Sequence, residues 1–269
     1  MKLNEVFEIE EDINAVEIEK IIKPIVRRLM GRRQVWETPG KMTAWLRGDL
    51  SKAIKAYLSA LGIKKGDAYV DIKLTTEDGM SGSMLYNHEH RTAYFTLFIP
   101  KSQWKAVKNE SKSLDLWEQM VEDIQQTVVH ELIHADQWVM SKGKMANRTG
   151  FLGKKKDHPG DQTVYLSDKH EISPYAANAI QELAAKDVAF DKLKGRMGEG
   201  DVHQYLRSAS HTFNRFYTKF KEGDTRRHKM VWNRFLKKLI QHIDDRIVDA
   251  EKEKEEMIAR AKRRGFHVD

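Results

Sequence analysis

The chain has 269 residues, of which 32% are Asp, Glu, Lys or Arg, and a net charge of +7. That length buries a sizeable core, in one large domain or one domain with extensions. It contains no cysteine, which excludes disulfides and thiolate metal sites and leaves any metal to histidine and carboxylate. The mild basicity permits nucleic-acid contact, but a solvated surface accounts for it equally well. No run approaches the roughly 20 apolar residues of a membrane span, and Met1-Lys2-Leu3-Asn4-Glu5-Val6-Phe7 holds no signal-peptide core. The expectation is a protein with no membrane partner, kept inside the cell that makes it or packaged from there.

Residues 1–12 are acidic and irregular and read as an arm. A helix is predicted over 16–30, with Ile18, Ile21, Ile22, Ile25 and Leu29 as its apolar face. Pro24 would kink it or split it in two. Residues 32–40 read as a connector because they end in a Pro-Gly pair. A second helix over 41–61 carries Trp45, Leu46, Leu50, Ile54, Tyr57, Leu58 and Leu61 and stops at Gly62. After Gly66 and Asp67 the period changes from helical to alternating, at 69–74 and again at 91–99, with 83–86 between them. These stretches predict a small antiparallel sheet that ends at Pro100, with 87–90 as a hairpin turn. His88 and His90 fall on that turn, where exposed turn residues are the expectation rather than extra ligands.

A long helix is predicted over 113–141, capped by Ser113 or Asp115. Trp117, Val121, Ile124, Val128, Leu132, Ala135 and Val139 recur at helical spacing and give it an apolar stripe. Within it stands Thr127-Val128-Val129-His130-Glu131-Leu132-Ile133-His134, which contains His-Glu-x-x-His. Helix positions four apart lie one above the other, so His130 and His134 can present two imidazoles to one metal ion. Glu131 beside them can hold the attacking water and accept its proton, while zinc acts as Lewis acid. The plain alternative is a pair of satisfied structural histidines. Against it, both histidines fall off the apolar stripe, next to the face marked by Thr127 and Trp138.

Residues 141–163 follow without a clear period and hold Gly143, Gly150, Gly153, Gly160 and Lys154-Lys155-Lys156. Such a stretch reads as a lid, a substrate wall or disorder. The longer pattern His-Glu-x-x-His-x-x-Gly-x-x-His is ruled out, because Gln137 and Met140 occupy the positions it needs. A third ligand must therefore come from further along. Glu171, 37 residues after His134 (171 − 134), is the leading candidate, with Glu182, His170, Asp168 and His158 as competitors. Glu171 also fits a capping box with Asp168, and Pro174 could set it on a kink or just ahead of its helix. Helices are predicted over 174–194, 202–220 and 224–261. The last carries Val231, Phe235, Leu239, Ile243, Ile247 and Ala250 on one stripe. Beyond Ala250 the run 251–256 is polar all round, so that end projects into solvent or meets a partner.

The two histidines with a glutamate from a following helix resemble the zincin-like metallopeptidases of the gluzincin type. More particularly, His130-Glu131-Leu132-Ile133-His134-Ala135-Asp136-Gln137 with Glu171-Ile172-x-x-Tyr175-Ala176 is similar to small metallopeptidases encoded by tailed bacteriophages. The resemblance covers residues 127–190. It implies zinc held by His130, His134 and Glu171, with Glu131 as general base and acid. Tyr175 is the oxyanion donor carried forward, with Tyr165 and His170 as alternatives. It also implies that the sheet edge near 83–86 pairs with extended substrate backbone, and that the setting is a host-cell cytoplasm or a virion.

The fold class expected is α+β and mostly helical: a small antiparallel sheet packed on the His-Glu-x-x-His helix, with a C-terminal helical bundle. The divisions expected are an N-terminal helical extension at 1–65, a metallopeptidase core at 66–200 and a helical region at 201–269. The leading functional expectation is a zinc peptidase acting on a protein or peptide substrate. A structural or virion protein on a zincin-like core is the alternative. Nucleic-acid binding through Lys154-Lys155-Lys156 and Arg263-Arg264 is a third, resting on charge alone.

Overall fold

Helix α1 spans Ala15–Met30 in the computed structural model, which describes residues 15–30, 38–87, 89–109, 114–141, 161–223 and 225–263. Its buried line is Ile18, Ile22 and Val26, four apart, whereas Ile21 is 39% exposed and off the apolar face expected for it. The helix runs on through Pro24, which lies on its exposed side and neither splits nor ends it. The N-terminal arm, most of the connector (31–37) and the side chain of Leu29 lie outside the described residues.

Pro39 and Gly40 open helix α2, Pro39–Ala60, instead of belonging to the connector. Thr38 caps it, its hydroxyl oxygen accepting from the Lys41 N–H at 3.2 Å. Proline fits there because its fixed φ suits a first turn and its missing N–H would have had no partner. Leu46, Leu50, Ile54 and Leu58 are fully buried, and the helix stops at Gly62, whose φ of 87° is glycine's own region.

The sheet holds β1 (Ala68–Thr75), β2 (Ser81–Asn87) and β3 (Thr92–Pro100) in the order β1-β3-β2. β2 and β3 form an antiparallel hairpin, with Met84 opposite Phe95. β1 instead runs parallel to β3, with Ile72 beside Leu97, so the sheet is mixed and not wholly antiparallel. Alternation fixes which residues face the core but carries no strand direction, and so could not distinguish the two. Ala68, Ile72, Met84, Ala93, Phe95, Leu97 and Ile99 form the buried face. His90 is exposed in the hairpin turn, its N–H donating to Asn87 Oδ1 at 3.1 Å; His88 lies outside the described residues.

A short helix that the sequence reading did not anticipate, α3 (Lys101–Asn109), follows Pro100 directly. It buries Trp104 and Val107, and Gln103 Nε2 donates to Asp123 Oδ2 at 2.6 Å. Asp123 belongs to α4, Leu114–Met140, the helix predicted over 113–141; Ser113 lies outside the described residues. α4 packs against α1 and β2, and its stripe from Trp117 to Ala135 is buried. These elements belong to one compact unit, Met1–Arg148.

A second unit, Thr149–Asp269, is entirely helical among the described residues. Residues 142–160, with His158 and Lys154-Lys155-Lys156, lie outside them. The last of the expected loop is helical: the Asp161 carboxylate caps α5 (Gln162–Leu166), accepting from Thr163 N at 2.8 Å. Then come α6 (Lys169–Ala184), α7 (Phe190–Lys194), α8 (Gly200–Ala209), α9 (His211–Phe216), a π-helical turn (Tyr217–Lys221) and α10 (Arg226–Arg263). The helix predicted over 174–194 is thus two helices, broken near Asp187 at a φ of 53°. The one over 202–220 breaks at Ser210, whose hydroxyl oxygen accepts from Phe213 N at 2.9 Å. Ile172, Ala176, Ile180 and Leu183 of α6 share a core with Phe213, Phe216, Phe220 and with Val231, Phe235, Leu239 and Ile243 of α10. The polar end of α10 is exposed, as its composition requires. The fold is α+β and mostly helical.

Candidate metal centre

On α4 the residues Val128, Val129, Leu132 and Ile133 are fully buried, so the helix is enclosed on more than one side. Within that stretch His130 and Glu131 are each 8% exposed, and His134 is half-buried. The two imidazoles lie 4.9 Å apart, centroid to centroid, at 77° to one another. Helical spacing brings them this close, and they meet edge-on.

Three contacts fix the helix around them. His134 Nδ1 is 3.1 Å from Gln137 Oε1. An amide oxygen can only accept, so this contact keeps the ring proton on Nδ1 and leaves Nε2 as the lone-pair nitrogen. Gln137 is 1% exposed, so its amide is shielded from water, while the His134 ring is half-buried. Past the second histidine, the Tyr57 hydroxyl of α2 donates to Asp136 Oδ2 at 2.8 Å. Burial raises the Asp136 carboxyl above its ordinary range, with the Tyr57 bond opposing it. Burial and the neighbouring Asp136 also push the Tyr57 hydroxyl far up, so the proton stays on the tyrosine. Finally, Tyr86 of β2 meets Trp138 edge-on at 6.3 Å. β2 runs beside α4, with Gly82 against the Glu131 side chain and Tyr86 against Trp138.

Glu171 stands in the first turn of α6, whose cap is Asp168: its carboxylate accepts from His170 N at 3.1 Å. Pro174 lies inside that helix, buried, and removes only the N–H that would have reached the His170 carbonyl. The proline therefore does not hold Glu171 outside the helix. Glu171 is 8% exposed. Burial drives the Tyr165 hydroxyl far above the usual tyrosine range; the charges of Glu171 and Tyr175 raise it further, as do hydrogen bonds to both. Tyr165 and Tyr175 meet edge-on at 6.3 Å, and the Arg215 guanidinium lies 5.9 Å from the Tyr175 ring centre.

Among the described residues, one set of His, Asp and Glu side chains could hold a metal ion: His130, His134 and Glu171. Each offers one donor atom, and the three atoms lie within 4.8 Å of one another. Two imidazoles and a carboxylate suit zinc and the later first-row metals better than magnesium or calcium, which favour all-oxygen shells. Of the competitors, Glu182 is engaged elsewhere, accepting from Ser210 Oγ at 2.7 Å and from Thr212 N at 3.0 Å. Asp168 serves as a helix cap, His170 is half-buried on α6, and His158 lies outside the described residues.

Sequence reasoning named Gln137 as an obstacle to a longer motif and as the end of the resembling stretch, and gave it no part in holding His134. Its place three residues after His134, on one helix face, was the signal for its contact with that ring. The partnership of Tyr57 with Asp136 and the approach of Gly82 to Glu131 had no such signal, because both depend on tertiary packing. No protein-family model, curated protein or solved structure matches this chain.

Proposed function

We propose that this protein is a zinc-dependent peptidase. One observation carries the reading: His130, His134 and Glu171 offer donors within 4.8 Å of one another, next in sequence to a buried carboxylate, Glu131. Two histidines and a glutamate leave a catalytic zinc one open position for water. A zinc ion held there would supply Lewis acidity and bring the pKa of a water to about 7.

The chain's own groups divide the remaining work. Glu131 accepts the proton of the attacking water and passes it to the leaving amine nitrogen. Gln137 holds His134 in the tautomer that ligates, and Tyr165 steadies the carboxylate of Glu171. Tyr175 is the donor to the carbonyl oxygen as negative charge develops there. Among the described residues β2 is an edge strand paired only with β3, so an extended peptide can add to its open side. In this reading the chain is similar to the gluzincin-type enzymes of tailed phages, acting on protein in a host cytoplasm or a virion.

The test uses the full-length chain, unaltered and as Glu131→Gln. Both should carry about one zinc per chain, and only the unaltered protein should hydrolyse an unfolded protein such as casein. A chain that neither contains zinc nor takes it up ends the metal reading. Zinc without hydrolysis in the unaltered protein favours a structural role on the same core.

A further inference from the structure

Gly82, Met84 and Tyr86 alternate along β2 with Ser81, Ser83 and Leu85, and theirs is the side that meets α4. At Gly82 the strand comes closest. A Cβ placed there would overlap Cγ of Glu131 and stand 3.0 Å from both its Cδ and its Oε1. The φ of Gly82 lies outside the left-handed region, so backbone conformation does not demand glycine at this point. Space does.

The overlapped atom decides what a side chain would do. Once the helix backbone is fixed, the position of Cγ is set by χ1 alone, and a helix leaves essentially two χ1 wells. The Glu131 side chain is enclosed, at 8% exposure, so it cannot swing out into solvent. Relief must come from the other χ1 well, which re-aims the carboxylate, or from β2 moving off the helix. We propose that Gly82 is a positioning residue for Glu131: its bare backbone packs on the side chain and holds the carboxylate in one χ1 well. The catalytic consequence rests on the peptidase reading; the packing does not.

Gly82→Ala is made in the full-length chain in three backgrounds: unaltered, Glu131→Gln, which keeps Cγ, and Glu131→Ala, which deletes it. Gly82→Ala should lower Tm by about 4 °C or more in the first two and leave it unchanged in the third. Zinc content should remain at the unaltered level throughout, since neither histidine is displaced. Hydrolysis by Gly82→Ala should fall by a factor of about 100 in kcat with little change in KM. Should Gly82→Ala alone fail to fold, Gly82→Ala with Glu131→Ala should still fold, which is the same result in stronger form. Equal losses of Tm in all three backgrounds, an unfolded double variant, or an undiminished kcat overturns the proposal. Relief by Glu131→Ala in a chain with no hydrolytic activity upholds the packing and removes the peptidase reading instead.

Discussion

His134 Nδ1 and Gln137 Oε1 face each other at 3.1 Å, one turn apart on the same helix, with the Gln137 side fully buried. This contact prepares His134 before any metal arrives, because it decides which nitrogen keeps a lone pair. Gln137→Leu keeps nearly the same volume in a buried place but offers no acceptor. Zinc affinity, measured by competition with a chelator, should fall about 10- to 100-fold while the helix content stays the same. Unchanged affinity would mean that the ring is oriented by something else.

Glu171 and Glu182 lie on one helix but do different things, and alanine should separate them. Glu171→Ala removes a proposed ligand and should release most of the zinc. Glu182→Ala should keep the zinc and lose stability, since Ser210 and Thr212 would be left without their shared acceptor. The cost should be about 1–3 kcal/mol, read from denaturant unfolding. Zinc lost from Glu182→Ala in a folded chain would move the third ligand there.

The two tyrosines of the same unit give a further separation. Tyr165 acts on Glu171, so Tyr165→Phe should weaken zinc binding by about tenfold. Tyr175→Phe should leave zinc binding intact and lower kcat by about 100-fold. If the two phenylalanines exchange these effects, Tyr165 is the donor to the substrate and Tyr175 the support.

The sequence made the candidate metal-binding helix legible because its information is local. His130, Glu131 and His134 are four residues apart at most, and the apolar stripe of α4 follows from a period that needs no partner. Glu171 was reachable only by chemistry and resemblance, as nothing in the spacing says how a chain returns after so long a gap. Pro174 looked like a helix boundary, yet α6 begins at Lys169 because Asp168 caps it and the buried proline removes only one backbone donor. β1 was recognised as a strand but given the wrong direction: it was expected antiparallel, and only its pairing with β3 makes it parallel. Ile21 was misplaced because an apolar residue at nearly helical spacing need not face the core.

Asp123 of α4 gives the helix a pH dependence that does not involve the metal. Burial raises its carboxyl above the ordinary range, and the donation from Gln103 Nε2 at 2.6 Å only partly opposes this. The folded chain therefore holds this proton more tightly than the unfolded chain does. Below the unfolded value of about 3.9 both states are protonated, and the side chain exacts no charge penalty. As pH rises, the unfolded chain ionises first, and stability is lost progressively until the folded carboxyl ionises too. Above that point the penalty is complete and constant. Asp123→Asn cannot ionise, yet its oxygen still accepts from Gln103. Relative to the unaltered protein, it should gain stability as pH is raised from about 4 and level off once the folded carboxyl has ionised. Urea unfolding midpoints of the two proteins across that range measure the difference directly, and titrations elsewhere in the chain cancel between them. A variant that loses ground as pH rises would mean that the Gln103 bond outweighs burial and that the fold prefers this carboxylate charged.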